Sequence, residues 1–185
     1  VCMSGHKSLY GPMGTGVLIL NNRNLKPLLY GGTGTESVKK SQPEGLPEKF
    51  ESGTQNMNGI SGLKAGVDFV KNRGIKNIYN HEYKLAKRLF NGLANNRKVI
   101  TYNKSFDYGK VAPVVSFNID GVYSEDLVAK LNKYGIMTRG GLHCSPLAHT
   151  TMNTIENGTV RVVPGAFNTI NDINYLLNII RKLTI

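Results

Sequence analysis

The chain has 185 residues, 40% of them hydrophobic and 19% charged, a globular composition with enough length for one domain or two small ones around a real core. No apolar run approaches the ~20 residues of a membrane span, and two cysteines, Cys2 and Cys144, are too few for a disulfide-stapled secreted fold. The net charge is +11, and nine Lys or Arg between Lys64 and Lys98 face only Asp68 and Glu82; with no zinc-finger spacing and no interleaved aromatics, this run reads as a solvated helix face, and nucleic acid is not the expected partner. Nothing in the opening VCMSGHKSL marks the chain for export, so a cytoplasmic protein is expected, without a membrane partner.

In chain order, GVLIL at 16–20 is a short apolar run between glycine and NNRN, which predicts a buried strand. From 30 to 58 the sequence is rich in Gly, Pro, Ser and charge with no sustained period, which predicts a long loop; such loops in compact domains are usually functional or disordered. Ile60, Leu63, Val67 and Val70 form a helical stripe that stops at Gly74, and a second helix follows over about 78–93 with Leu85, Leu89 and Leu93 on one face. Val115, Phe117 and Ile119 alternate as a strand. Ser124 is placed to cap a helix with Glu125 and Asp126 in its first turn and Leu127, Val128, Leu131 and Tyr134 on its buried side. Short strands are predicted at 136–138 and 159–163, and a last helix carries Ile173, Leu176, Leu177, Ile180 and Leu183. The mixture is α/β or α+β, with a boundary near 96–105.

Three segments carry candidate chemistry. In SGHKSLYGPMGTG, 4–16, the glycines do not complete a phosphate loop, because Val17 and Leu18 follow where Lys and Ser or Thr are needed; GGTGTE at 31–36 likewise lacks the third glycine of a dinucleotide loop. What remains is Lys7 in a turn beside a strand, either a plain surface lysine or an amine for Schiff-base chemistry with Ser4 and His6 available to a phosphate. In RGGLHCSPLAH, 139–149, Cys144 lies beside His143 with Arg139 five residues back, either a structural cysteine or a thiolate supported by positive charge. A metal site through His143, Cys144 and His149 is not expected, since adjacent ligands rarely chelate one ion. In GTVRVVPGAFNT, 158–169, Arg161 interrupts an apolar strand, pointing to solvent or pairing with a carboxylate.

Taken in order with FESGTQN at 50–56, these segments closely resemble the class V aminotransferase family and, within it, the cysteine desulfurase group, over nearly the whole chain. The resemblance implies the C-terminal part of a fold-type I enzyme dependent on pyridoxal phosphate: the end of the large cofactor domain with its dimer loop at 1–98, and a small α+β domain at 99–185. It implies that Lys7 carries the cofactor as a Schiff base and acts as the base at Cα. Ser4 and His6 would contact the cofactor phosphate, and Gly53 and Thr54 would reach the phosphate of a neighbouring subunit in a homodimer. Arg161 would grip the substrate carboxylate, and Cys144 would accept sulfur from L-cysteine as a persulfide, releasing alanine, with Arg139 and His143 beside it. A sulfur-acceptor protein is an implied partner. Other class V enzymes, an aminotransferase or a selenocysteine lyase, would use the same parts, and a non-catalytic scaffold would retain the fold; a thiol facing the cofactor favours the desulfurase branch. The family's aspartate at the pyridine nitrogen and its ring-stacking histidine lie upstream of the lysine, and only six residues precede Lys7 here, so this chain alone is expected to bind cofactor poorly and turn nothing over.

Overall fold

The computed structural model describes residues 1–21 and 24–184. It divides into two compact units, Val1–Gly74 and Ile75–Ile185.

In the first unit, β1 (Cys2–Ser4) and β2 (Gly16–Leu18) pair antiparallel, with Cys2 opposite Leu18 and Ser4 opposite Gly16. The run at 16–20 therefore forms a shorter strand than predicted, and it is not buried: Leu18 is 50% and Ile19 53% exposed, and among the described residues β2 pairs with β1 alone. The loop that follows is long, as its composition predicts, and holds a 3-10 turn at Glu48–Phe50. It is nevertheless fastened. Buried Gln42 accepts from the Gly31 N–H (2.9 Å) and donates to the carbonyls of Glu48 (2.7 Å) and Glu51 (3.2 Å).

Helix α1 (Met57–Arg73) starts at Asn56, whose side chain accepts from the Gly59 N–H, and ends at Gly74, whose φ of 84° suits glycine. Its inward face differs from the predicted stripe. Gly59, Leu63 and Gly66 are buried, while Ile60 and Val67 stay half exposed. The reason is close approach: a Cβ on Gly66 would overlap the Leu9 carbonyl oxygen, and one on Gly62 would lie 2.6 Å from Pro12 Cγ. Hydrophobic periodicity cannot register a face built from absent side chains.

The second unit runs α2 (Ile75–Ala94), β3 (Val99–Thr101), β4 (Val115–Ile119), α3 (Ser124–Asn132), α4 (Pro146–Thr151), β5 (Val160–Val162) and α5 (Ile170–Leu183). The strands form one antiparallel sheet in the order β3-β4-β5, with Val99 opposite Ile119 and Val115 opposite Val162. Val115, Phe117 and Ile119 join a single core with Leu85, Leu89 and Leu93 of α2, Leu127 and Leu131 of α3, and Ile173, Leu176 and Ile180 of α5. Ser116 alternates with them onto the other face, opposite Arg161.

Helix α2 belongs to this unit. It packs on α5 so closely that a Cβ at Gly92 would lie 2.6 Å from Leu177 Cδ1, and the compact units therefore part at Gly74, ahead of α2. Three local expectations are corrected. No strand forms at 136–138; the residues after the Gly135 turn leave only one bridge, Arg139 to Arg161. Tyr134 lies beyond α3 and is 42% exposed. Ser124 is the first helical residue and the cap position falls on Tyr123, so the serine hydroxyl is free for another partner. Strands β1 and β3 and helix α4 were not predicted.

The glycine face of α1 yields a prediction of unusual sign. Gly→Ala on an open helix surface gains up to about 1 kcal/mol, whereas overpacking against backbone costs about 1–3 kcal/mol. Gly66→Ala is therefore expected to lower the urea midpoint of the full-length protein; a raised midpoint would contradict the close approach to Leu9.

Candidate active site

Ser4, His6, Lys7, Gly53 and Thr54 lie in the first unit, and Arg139, His143, Cys144 and Arg161 in the second. The lysine sits in the turn that leaves β1. Buried Gly5 fixes the base of this turn: its N–H donates to the Thr15 carbonyl (2.9 Å) and its carbonyl accepts from Gly11 (2.8 Å). Only glycine fits there, since a Cβ would overlap Thr15 Oγ1. The Tyr10 N–H donates to the Lys7 carbonyl (3.0 Å), Tyr10 adopts φ 54°, and its ring meets Phe69 of α1 edge-on at 5.0 Å. Ser4, His6 and Lys7 are left exposed, and Lys7 joins none of the ion pairs found among the described residues. Gly53, with φ 73°, donates to the Gly31 carbonyl at 3.0 Å and presents Thr54 to solvent just before the α1 cap.

The second group is drawn together by strained backbone. His143 (φ 54°) and Cys144 (φ 60°) are consecutive non-glycine residues in the left-handed region, a conformation that costs of order 1–3 kcal/mol per residue and persists only where its surroundings enforce it. The enforcing contacts are identifiable. Ser124 Oγ accepts from the Gly141 N–H (3.1 Å), the Gly141 carbonyl accepts from Thr159 (3.1 Å), and the Ser145 N–H closes the turn on Leu142 (2.9 Å). Gly141 and Gly158 pack backbone to backbone; a Cβ on Gly158 would lie 2.6 Å from Gly141 Cα. Asn118, buried in β4, holds the next layer by donating to the Gly158 carbonyl (2.9 Å) and accepting from the Val160 N–H (3.2 Å). Cys144 is thereby presented outward, with Arg139 Nη2 at 3.9 Å from its sulfur.

His143 points the other way. Its Nε2–H donates to the Thr159 carbonyl (2.9 Å), which leaves Nδ1 as a buried lone pair without a partner among the described residues. Burial, and then the positive charges of Arg161 and Arg139 and the nearby His149, push its pKa below the ordinary 6.5, against the opposing pull of the Thr159 hydrogen bond. It is neutral at neutral pH. His143, His149 and Arg161 border a cavity of about 260 Å³ with Tyr102, Ser116 and Thr154 and no acidic residue; Arg161 Nε is likewise buried and unpartnered among the described residues. Ser124, Asn118 and Thr159 carry this arrangement; the sequence reading assigns Ser124 to a helix cap and gives Asn118 and Thr159 no role in the site. A polar Asn at the buried end of an otherwise alternating strand was the available signal.

These two loops on this mixed α/β framework define a class, and comparison with known proteins agrees: residues 1–176 match the family model for aminotransferase class-V, and the chain belongs to that family. It is similar to a probable cysteine desulfurase of Pyrococcus abyssi, 35% identical over 99% of this chain and 46% of that protein. Among solved structures, it resembles the apo cysteine desulfurase of Thermococcus onnurineus NA1 (TM-score 0.90, 34% identity, 99% of this chain and 46% of that one). It also resembles the Escherichia coli cysteine desulfurase CsdA in its S-sulfonic acid form (TM-score 0.85, 28% identity, 100% and 46%). The chain spans about half the length of the curated relatives it matches.

Members of this family work with pyridoxal phosphate, and the residues present fit it. The Lys7 turn offers an amine free of carboxylates, with an imidazole one residue and a hydroxyl three residues before it, on a backbone that packs too tightly for a Cβ at Gly5 and Gly11. No group of three or more metal-ligating side chains occurs among the described residues.

The His143 environment fixes a pH dependence. Because its folded pKa is depressed, the unfolded chain takes up a proton first as pH falls through 6.5, so the contribution is fully present above 6.5 and is lost below it. Between pH 7.5 and 5.5 the melting temperature should fall more steeply for the parent than for His143→Gln; parallel curves would show that His143 is not held neutral.

Proposed function

We propose that the protein to which this chain belongs is a cysteine desulfurase dependent on pyridoxal phosphate, transferring sulfur from L-cysteine to Cys144 with release of alanine. The observation that carries this reading is Cys144 itself, held in left-handed backbone with a guanidinium at its sulfur and Arg161 across the Arg139 bridge. Transamination has no use for such a thiol.

When bound, pyridoxal phosphate supplies an electron sink for the carbanion formed at the substrate's Cα. The Lys7 side chain anchors it and then moves the Cα proton, the reason for an amine with no competing ion pair. Ser4 and His6 hold phosphate oxygens. Arg161 binds the substrate carboxylate; its charge has no carboxylate partner within the chain's described residues, so the substrate supplies one. Cys144 Sγ forms a bond to the substrate sulfur as the Cβ–S bond breaks, and the carbon skeleton leaves as alanine. Arg139 aims an N–H at the sulfur that must carry charge during this transfer. Neutral His143 orients the loop through Thr159 and leaves the cationic role to Arg139.

The same reading makes the enzyme a homodimer, with Gly53 and Thr54 reaching a neighbouring subunit's cofactor from the loop that Gln42 fastens. It places the protein in the reducing cytoplasm, where the exposed thiols of Cys2 and Cys144 persist, and gives it a sulfur-acceptor protein to which the Cys144 persulfide is passed.

The test is catalytic. Full-length protein with pyridoxal phosphate, L-cysteine and a thiol reductant to discharge the persulfide should release sulfide and alanine in equal amounts, and Cys144→Ala should lose at least 10²-fold in rate, the scale of removing an essential nucleophile. Consumption of L-cysteine without formation of alanine, or an unaffected Cys144→Ala, would reject the desulfurase reading in favour of another class V activity.

A further inference from the structure

The basic run noted in the sequence is organised by the fold into one groove. Helices α2 and α5 touch where Gly92 meets Leu177, and beside that contact lies a depression of about 500 Å³ lined by Lys84, Lys87, Arg88, Asn91, Asn95 and Arg181 among others. No lining residue is acidic. None of the four cations takes part in an ion pair among the described residues. Lys84 stands three and four residues from Lys87 and Arg88 on the same helix face, a spacing at which like charges repel. A plain solvated face would intersperse carboxylates; this one accumulates positive charge against its own helix.

We propose that the α2–α5 groove is a docking site for an acidic segment of a partner protein. Three features favour a peptide over a nucleic acid. Asn91 and Asn95 project side-chain amides from exposed positions in the groove, and an amide both donates and accepts, matching the peptide backbone, whereas phosphodiesters offer no donor for the amide oxygen. There is no free aromatic platform on which a base could stack: Tyr83 donates its hydroxyl to the Phe106 carbonyl (2.9 Å) and packs its ring against Phe106 and Tyr108. The groove is also short. Lys84 to Ala94 covers eleven residues, roughly 16 Å of helix, which an extended segment spans in about five residues. Arg88 and Arg181 keep further donors after bonding Asn174 and Asn178, enough for bidentate contacts to carboxylates.

The probe is a fluorescein-labelled octapeptide of alternating Asp and Glu between glycines, titrated by anisotropy into the full-length protein. Binding should weaken as salt rises. Lys84→Glu/Arg88→Glu should reduce affinity roughly tenfold or more, while Lys76→Glu/Lys133→Glu, an equal charge change at exposed positions outside the groove, should shift it less than about twofold. Circular dichroism confirms that both variants are folded. Equal effects of the two double variants would reduce the peptide's affinity to net charge and overturn the site, as would the absence of binding. An oligothymidylate of matched charge that binds more tightly than the peptide and competes with it would assign the groove to nucleic acid instead.

Discussion

Backbone packed directly against backbone sets the Lys7 turn and the Cys144 loop in place. In the first unit α1 presents Gly66 where the Leu9 carbonyl approaches, and Leu63 and the Tyr10–Phe69 ring contact hold the rest of the turn carrying Lys7 against the helix. In the second, Gly158 lies against Gly141, and the segment leading to Cys144 is held to β5 at a distance that no Cβ allows. Such contacts are stiff. A side chain can change rotamer to absorb a shift, while two abutting main chains move only together, so reactive groups on these loops inherit the rigidity of a helix and a sheet.

The Cys144 loop adds electrostatic order to that rigidity. Left-handed backbone at His143 and Cys144 turns the imidazole inward, onto the Thr159 carbonyl, and the thiol outward beside Arg139. Acidic side chains are absent from the cavity lined by Arg161, and His143 stays neutral because burial and two guanidinium groups disfavour a further charge. Positive charge is thus concentrated on arginines, whose protonation does not vary, and the cavity holds no anion to compete with the carboxylate of the proposed substrate.

Much of this was legible in the sequence. The end of α1 at Gly74, the inward leucines of α2 and the alternation of β4 follow from periodicity and capping, and Lys7, Cys144, Arg139, His143 and Arg161 stand out because each sits in a segment whose residue types suit a defined chemistry. The contacts that hold those residues were not legible. Ser124 was read as a cap because a serine ahead of Glu125 and Asp126 satisfies the capping pattern, yet its hydroxyl serves Gly141, seventeen residues on. Of the α1 stripe Ile60, Leu63, Val67 and Val70, Leu63 is buried while Ile60 and Val67 are not, because apolar periodicity counts side chains and the inner face is completed by Gly59 and Gly66. Strands of three residues such as Val99–Thr101 are too short to show a period, and the exposure of Leu18 and Ile19 depends on which strands flank β2.

In the proposed reaction sulfur moves to Cys144 Sγ. Intact and peptide mass spectrometry of the full-length protein, loaded with pyridoxal phosphate and quenched after one equivalent of L-cysteine, tests it most directly. One added sulfur atom on the peptide containing Cys144, removable by a thiol reductant, is the predicted result. An unmodified Cys144 peptide alongside alanine formation, or sulfur added at Cys2 instead, would contradict it.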